Sequence, residues 1–235
     1  MEIIMKYYAV NGSPRKNFNT SALLDCALQG IKDICPDAEV KRIDVYDYAY
    51  SGCISCYACK RVNGASYGKC AKKDGITELL AELSQADGMI IGSPVYFHDI
   101  TGQLRCLLER LMYPYLVYSK EYSSIAPKHM PTALIYTMNA TEEKMERMNY
   151  EVKLSAVAEY VEAVFSRPEV LYCCDTCQFH DYSLYRADRF SEEEKKKRKR
   201  IQFPLDCKEA FEIGRRMAQA AKCPPPTAEG IPGRT

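Results

Sequence analysis

Four cysteines in the first third of the chain have a spacing that is typical of a site for a soft metal. Cys53, Cys56 and Cys59 form a C-x-x-C-x-x-C run, and Cys70 supplies a fourth thiol after ten intervening residues. Three thiolates at this spacing can converge on an iron–sulfur cube, with a later cysteine as the fourth ligand. Thiolates suit iron–sulfur clusters or zinc far better than calcium or magnesium. The alternative is a loop of reduced thiols that binds no metal.

A second group of chemically useful side chains follows the first apolar run of the chain, at residues 12–21. That run ends in Gly-Ser-Pro-Arg, and a cluster of Asn, Thr and Ser then leads into a helical pattern. The side chains that suit a phosphate are Ser13, Arg15, Asn19, Thr20 and Ser21. The free N–H groups and the positive dipole at a helix start attract anions, and Arg adds a fixed cationic fork. The alternative is an ordinary capped turn between a strand and a helix.

A third loop, at residues 92–98, combines a flexible glycine with a rigid proline and two aromatic rings. Gly92 permits a close backbone approach, Pro94 stiffens the loop, and Tyr96 and Phe97 offer flat apolar surfaces. Such a loop suits a planar aromatic ligand beside a phosphate site; alternatively, both rings belong to the core. Among the three histidines, His98 is the candidate for an active-site participant because it adjoins this loop.

Alternating apolar runs and amphipathic segments must position these loops. The strand-like runs lie at residues 3–10, 38–45, 88–92, 132–136 and 168–172, and the helical patterns at 22–31, 76–83, 104–111, 142–165 and 206–221. Buried strands between amphipathic helices predict an α/β fold, with a doubly wound, parallel, five-stranded sheet and helices on both faces.

We expect one main domain over residues 1–175, with the cysteine loop 52–74 inserted in it. Residues 176–205 form an excursion. It contains an acidic-then-basic run that predicts a solvated helix capped by Ser191, in preference to a patch for nucleic acid. Residues 206–222 are expected to be the closing helix of the same domain. Residues 223–235 lack a periodic apolar pattern, and we expect them to be mobile.

Charge and hydropathy exclude several functional classes. Thirty-two basic and 31 acidic residues leave a net charge of +1, which argues against binding to nucleic acid or to an anionic membrane. No run approaches the roughly 20 apolar residues of a spanning helix, and the first residues lack a signal-peptide pattern. We therefore expect a cytoplasmic protein. Its twelve cysteines should then stay reduced, which favours metal or redox roles over a disulfide framework.

The loops at 12–21 and 92–97, followed by the sequence Thr-Gly-Gln-Leu-Arg at 101–105, together resemble the flavodoxin-like NAD(P)H-dependent FMN reductase family. The resemblance covers about residues 3–175. It implies that Ser13, Arg15, Asn19, Thr20 and Ser21 hold the FMN phosphate. It further implies that Pro94, Val95, Tyr96 and Phe97 wrap the isoalloxazine, and that Thr137, Met138 and Asn139 form a third flavin contact.

The same resemblance implies partners and a quaternary state. NAD(P)H would be the electron donor, a small molecule or a protein would be the acceptor, and the chain would form a homodimer or a dimer of dimers. Free flavins, quinones, nitroaromatics and metal ions are all acceptors that the sequence leaves open. Neither nucleic acid nor a membrane is expected as a partner.

The cysteine loop resembles that of the iron-sulfur flavoproteins, a branch of the same superfamily in which a compact cysteine motif binds a [4Fe-4S] cluster near FMN. The ten-residue gap before Cys70 is longer than that compact pattern, and relatives without a cluster keep a similar loop. The sequence thus predicts an FMN-dependent NAD(P)H oxidoreductase. The alternatives are an iron-sulfur flavoprotein that acts as an electron carrier and a non-catalytic binding protein with a flavodoxin fold.

Overall fold

Five apolar runs of the sequence form one parallel sheet. The computed structural model describes residues 4–120 and 122–222, and its strands are β1 (Lys6–Asn11), β2 (Glu39–Asp44), β3 (Gly88–Pro94), β4 (Thr132–Thr137) and β5 (Glu169–Cys173). Their order is β2-β1-β3-β4-β5, and all neighbouring strands are parallel. This is the flavodoxin-like order, with its switch point between β1 and β3, so the sequence prediction of the fold is confirmed.

Helices connect the strands and cover both faces of the sheet. Within the described residues the α-helices are α1 (Asn19–Ile34), α2 (Thr77–Ser84), α3 (Gly102–Met112), α4 (Glu142–Arg147), α5 (Tyr150–Val164), α6 (Glu192–Ile201) and α7 (Phe203–Lys222). None of these is both long and apolar enough to cross a membrane.

The core lies on both sides of the sheet because successive strand residues point to opposite faces. In β1, Tyr8 and Val10 pack with the apolar residues of α2, α3 and α5. Tyr7 and Ala9 pack on the other face with those of α1 and α7. All four side chains are buried, as expected for a strand in the middle of a parallel sheet.

Two glycines bring α1 and α7 into very close contact. A Cβ atom on Gly30 would lie 1.9 Å from the Phe211 carbonyl oxygen, and one on Gly214 would lie 1.9 Å from the Ala27 carbonyl oxygen. Only glycine fits at these two positions without moving the facing backbone. The contact fixes α1, and therefore the loop that precedes it.

Two helix boundaries differ from the sequence prediction. The single helix predicted over residues 142–165 is wrong: it divides into α4 and α5, because Asn149 adopts a left-handed backbone (φ +50°) between them. The last helix begins at Phe203 rather than at Asp206. The predicted mobile tail, 223–235, lies outside the described residues.

The charged run predicted to form a solvated helix is α6. Ser191 caps it as expected, since its hydroxyl accepts from the Glu194 N–H (3.2 Å). The prediction that the whole helix is solvated is wrong at Lys195, which is buried. The reason is tertiary: this lysine faces the carboxyl edge of the sheet.

Candidate functional site

Three loops meet at the carboxyl edge of the sheet. They are the β1 loop (residues 12–21), the β3 loop (residues 92–101) and the β4 loop (residues 137–140). The Gly12 N–H donates to the Gly92 carbonyl (2.8 Å), and the Thr101 hydroxyl donates to the Gly12 carbonyl (2.7 Å). The Val95 N–H donates to the Thr137 carbonyl (2.9 Å). The loops therefore form one surface at the edge where open parallel sheets bind ligands.

The hydroxyl groups of the β1 loop shape the start of α1. The Ser13 hydroxyl accepts from the Arg15 N–H (3.1 Å), and the Ser21 hydroxyl accepts from the Phe18 N–H (2.9 Å). The Thr20 hydroxyl lies 2.8 Å from that of Thr137, which joins the β1 loop to the β4 loop. The first N–H groups of α1 have no acceptor within the helix, so this end of the helix offers donors to an anion.

Arg15 and Asn19 contact the segment that follows β5, which was not predicted from the sequence to belong to the site. Arg15 Nη1 donates to the Gln178 carbonyl (2.5 Å), and Asn19 Nδ2 donates to the Cys177 carbonyl (2.8 Å). The Arg15 guanidinium also lies 4.0 Å above the centre of the Phe18 ring. The two predicted phosphate donors thus sit between the start of α1 and the chain that follows β5.

The β4 loop contains a buried polar atom without a partner. Asn139 Nδ2 donates to Gln178 Oε1 (3.0 Å), and the Asn139 carbonyl accepts from Lys195 Nζ (3.2 Å). Asn139 Oδ1 is buried and has no hydrogen-bond partner among the described residues. Since an unpaired buried acceptor is costly, this atom suits an N–H or O–H donor from a ligand at the sheet edge.

Lys195 holds the excursion against this edge. Its ammonium group forms an ion pair with Asp175, and its side chain is only 4% exposed. The Lys195 carbonyl in turn accepts from Cys177 Sγ (3.2 Å). Nothing in the sequence distinguishes this lysine from its charged neighbours, because its burial depends entirely on how α6 packs on the sheet.

The tip of the β3 loop is a tight, strained turn. Tyr96 and Asp99 exchange both backbone hydrogen bonds (2.8 and 3.0 Å), and Phe97 and His98 between them have φ values of +50° and +70°. Two consecutive left-handed residues define a type I′ turn, which normally contains Asn and Gly. Arg105 Nη2 donates to both carboxylate oxygens of Asp99 (2.6 and 2.7 Å) and fixes the base of the turn.

The turn presents aromatic side chains to solvent rather than to the core. Phe97 is fully exposed (101%) and Tyr96 is 44% exposed, so the alternative that both belong to the core is wrong. The His98 ring lies 5.2 Å from the ring of Tyr150 at the start of α5. An exposed pair of rings on a strained turn beside the polar side chains of the sheet edge suits stacking on a planar ligand or on another protein chain.

The ten residues between Cys59 and Cys70 fold back so that the chain returns close to Cys59. The Gly68 N–H donates to the Cys59 carbonyl (3.0 Å), which returns the chain to Cys59 just before Cys70. Lys60, next to Cys59, attaches this segment to the end of α3 by donating to the carbonyls of Tyr113 and Leu116. The long gap in sequence therefore does not separate the third and fourth cysteines in space.

All four cysteines of this loop line one small cavity beside the end of α3. Within residues 4–120 and 122–222, no three His, Cys, Asp or Glu side chains are arranged so that they could hold a metal ion. The thiols thus share a cavity without converging on one point. Burial raises the pKa of the Cys59 thiol, while the charge of Lys60 opposes that shift.

Two residues of α3 hold the two ends of the cysteine loop. Glu109 Oε2 accepts from the Cys53 N–H (3.1 Å), and Arg110 Nε donates to Cys70 Sγ (3.4 Å). Arg110 Nη1 also donates to Asp74 Oδ2 (2.5 Å). Burial raises the pKa of Asp74, but the hydrogen bonds from Arg110 and from the Ile76 N–H, together with the charges of Arg110 and Lys72, outweigh it, so the pKa lies below its ordinary value. Neither α3 residue was predicted from the sequence, because the partners that define their environment lie in the cysteine loop, far away in the chain.

Comparison with known proteins decides the family. The model of the family described as NADPH-dependent FMN reductase matches residues 5–153. The chain belongs to that family. The resemblance that the sequence motifs indicated is therefore confirmed.

Curated relatives of this FMN reductase family member are iron-sulfur flavoproteins. One from Methanocaldococcus jannaschii is 38% identical over 106 residues, which are 45% of this chain and 51% of the relative. One from Archaeoglobus fulgidus is 37% identical over 106 residues, 45% of this chain and 48% of the relative. The chain thus spans about half the length of the curated relatives it matches.

Solved structures share the fold of this family member at low sequence identity. An azoreductase from Bacillus anthracis superposes with a TM-score of 0.65 at 14% identity, over 91% of this chain and 100% of the other. An NAD(P)H:quinone oxidoreductase from Methanothermobacter marburgensis gives 0.62 at 13% identity, over 91% and 96%. At such identities the likeness establishes the fold. Residues 174–201, which contain Gln178 and Lys195, lie beyond the part that the family model matches.

Proposed function

We propose that this chain is an FMN-dependent oxidoreductase that takes electrons from NADH or NADPH and passes them to an acceptor. The observation that carries the proposal is the meeting of three loops at the carboxyl edge of the sheet, in a chain of the FMN reductase family. FMN would supply the hydride and electron chemistry, and the protein would bind it and tune it.

The residues at the sheet edge fit FMN. The start of α1, with Ser13, Arg15, Asn19, Thr20 and Ser21, would hold the phosphate, because a helix N-terminus offers free N–H donors and the exposed Arg15 adds a guanidinium, one N–H of which binds the Gln178 carbonyl. Pro94, Val95, Tyr96 and Phe97 would border the ring system, and Thr137, Met138 and Asn139 would close the third side. The unpaired oxygen of Asn139 would accept from a polar group of the ligand. His98 is an added candidate to contact the reacting edge.

Flavin retention tests the phosphate assignment. We expect the double variant Arg15→Ala, Thr20→Ala to lose at least nine-tenths of its bound FMN, because it removes a cationic fork and a hydroxyl from the site. Lys16→Ala is the matched control: this exposed neighbour of Arg15 pairs with Asp47 on the surface, and its loss should leave the flavin content unchanged. FMN released by denaturation is measured per mole of purified chain. An unchanged content in the double variant would refute the assignment.

A second candidate function is electron transfer through an iron–sulfur cluster next to FMN. Two observations favour it: the curated relatives are named iron-sulfur flavoproteins, and the bond from Gly68 to Cys59 returns Cys70 to the cavity that all four cysteines line. A set of four thiols fits an iron–sulfur cube, which spreads its ligands over four irons. Cys53, Cys56, Cys59 and Cys70 would be the ligands, and the loop would have to close further around the cluster.

Iron and sulfide analysis of anaerobically purified protein separates the candidates. Flavin without iron or sulfide would eliminate the cluster. Flavin that neither NADH nor NADPH reduces would instead favour the carrier or a non-catalytic binding protein. Because thiols of this kind must stay reduced, we also propose that the protein works in the cytoplasm.

The exposed aromatic turn supports a homodimer or a dimer of dimers. Tyr96 and Phe97 project from the rim of the proposed flavin site, and Ile54 and Tyr57 are exposed on the cysteine loop. Exposed apolar groups mark a contact surface where they form one patch, and we propose that these do. A second copy that covers them would also shield the flavin from water.

A further inference from the structure

We propose that Arg110 positions Cys70 and, when the cysteine loop holds an iron–sulfur cluster, raises the reduction potential of that cluster. The inference rests on the second candidate function above. Arg110 belongs to α3, outside the cysteine motif, and would change the reduction potential of the cluster relative to that of FMN.

Arg110 is enclosed by the cysteine loop. Its side chain is 0% exposed, which is rare for arginine unless all its donors are used. Besides Cys70 and Asp74, it donates to the Ser51 carbonyl (3.1 Å, from Nη1) and to the Lys72 carbonyl (3.0 Å, from Nη2). Ser51 precedes the first cysteine of the loop, and the other three partners belong to its end. One rigid guanidinium therefore joins the two ends of the loop.

The contact with Cys70 has an electrostatic consequence. Reduction adds one negative charge to a cluster and to its thiolates, and an N–H aimed at a ligand sulfur stabilises that charge. The guanidinium stays protonated at all physiological pH values, and burial weakens the screening of its charge by water and salt. Asp74 offsets part of the charge, but it binds Nη1, whereas Nε faces the sulfur. Compared with a cluster that lacks this contact, Arg110 therefore stabilises the reduced state more than the oxidised state.

A potentiometric titration of the anaerobically purified protein tests the proposal. We expect Arg110→Gln to shift the equilibrium of cluster reduction about tenfold toward the oxidised form, about 59 mV for one electron. Arg110→Lys keeps the charge and should shift it less. Arg61→Gln is the matched control, since this arginine of the same loop is exposed and forms no hydrogen bond with a cysteine sulfur within the part of the chain that the structure describes, and no shift is expected. Bound FMN, titrated in the same sample, should keep its potential in all three variants.

Two results would overturn the proposal. One is a cluster whose potential is the same in Arg110→Gln and in the wild type, or that shifts equally in Arg61→Gln. The other is wild-type protein that contains no iron or sulfide. In that second case the FMN content and its reduction by NAD(P)H, read from the same sample, still decide the proposed reductase function separately.

A measurement on the unmodified sequence covers the case in which the Arg110 variants do not fold. Wild-type protein labelled with 15N-arginine is reduced with dithionite, and pulsed electron paramagnetic resonance is recorded. We expect a 15N coupling to the reduced cluster that persists in labelled Arg61→Lys protein. Its absence in the wild type would refute the contact between Arg110 and the cluster ligand.

Discussion

Lys195 and Lys196 are neighbours in sequence with opposite environments. The Lys195 side chain is 4% exposed and is paired with Asp175, whereas that of Lys196 is 63% exposed and is paired with Glu192 one helical turn away. Removing one partner of a buried ion pair leaves the other charge uncompensated, while an exposed pair contributes little to stability. Variants of these two residues therefore compare the contribution of a buried ion pair to stability with that of an exposed one.

We predict that Lys195→Met lowers the free energy of unfolding by about 2–3 kcal/mol, since Asp175 keeps some access to water and recovers part of the cost. Lys196→Met should leave it nearly unchanged, because an exposed ion pair contributes little. Urea unfolding measures both. Adding Asp175→Asn to Lys195→Met should restore part of the loss, and a double variant as unstable as the sum of two independent losses would contradict the pairing.

At the scale of the element, the turn from Tyr96 to Asp99 places bulky residues where glycine and asparagine are preferred. Each non-glycine residue in the left-handed region costs about 1–3 kcal/mol when the surroundings impose it. Phe97 packs against little in this chain, because it is fully exposed. The strained turn therefore lowers the free energy of unfolding while it exposes its aromatic rings, as is common in functional loops.

Replacing Phe97 and His98 with Asn and Gly is expected to raise the free energy of unfolding by about 1–2 kcal/mol and to weaken FMN retention. The matched control replaces both residues with Ser, which removes the same rings without supplying the preferred turn residues. That control should lose flavin without the gain in stability. Thermal unfolding of the flavin-free proteins measures the effect, and equal stability of the two variants would contradict a strained turn.

The contact between α1 and α7 leads to a second prediction about elements. Gly30→Ala should lower the free energy of unfolding by about 3 kcal/mol, because its Cβ would lie 1.9 Å from a backbone oxygen of α7 that cannot rotate away. Gly102→Ala is the control: no atom of the described residues lies within 4 Å of the added Cβ at this helix start, so stability should stay the same or rise by about 0.5 kcal/mol. Urea unfolding measures the stability of both variants. If the two free energies of unfolding were similar, the close contact between α1 and α7 would not be needed for stability.

Across the whole molecule, the sequence was most informative where periodicity reflects local structure. Continuous apolar runs such as Met89–Ile91 predicted the buried strands of the parallel sheet, and the turn residues after β1 and β3 predicted where its loops gather. The break at Asn149 was missed because an amphipathic pattern continues across it. Lys195, Gln178 and Arg110 were missed because their environments come from segments far away in the sequence, which no local pattern encodes.

We propose that the carboxyl edge of the sheet holds FMN that a nicotinamide reduces. The most direct measurement is an anaerobic titration of the purified protein with NADH and with NADPH, followed by the visible absorption of bound flavin. We expect about one FMN per chain and bleaching of its absorption by at least one of the two donors. Protein that binds no FMN when supplied with it, or bound FMN that neither donor bleaches, would contradict the claim.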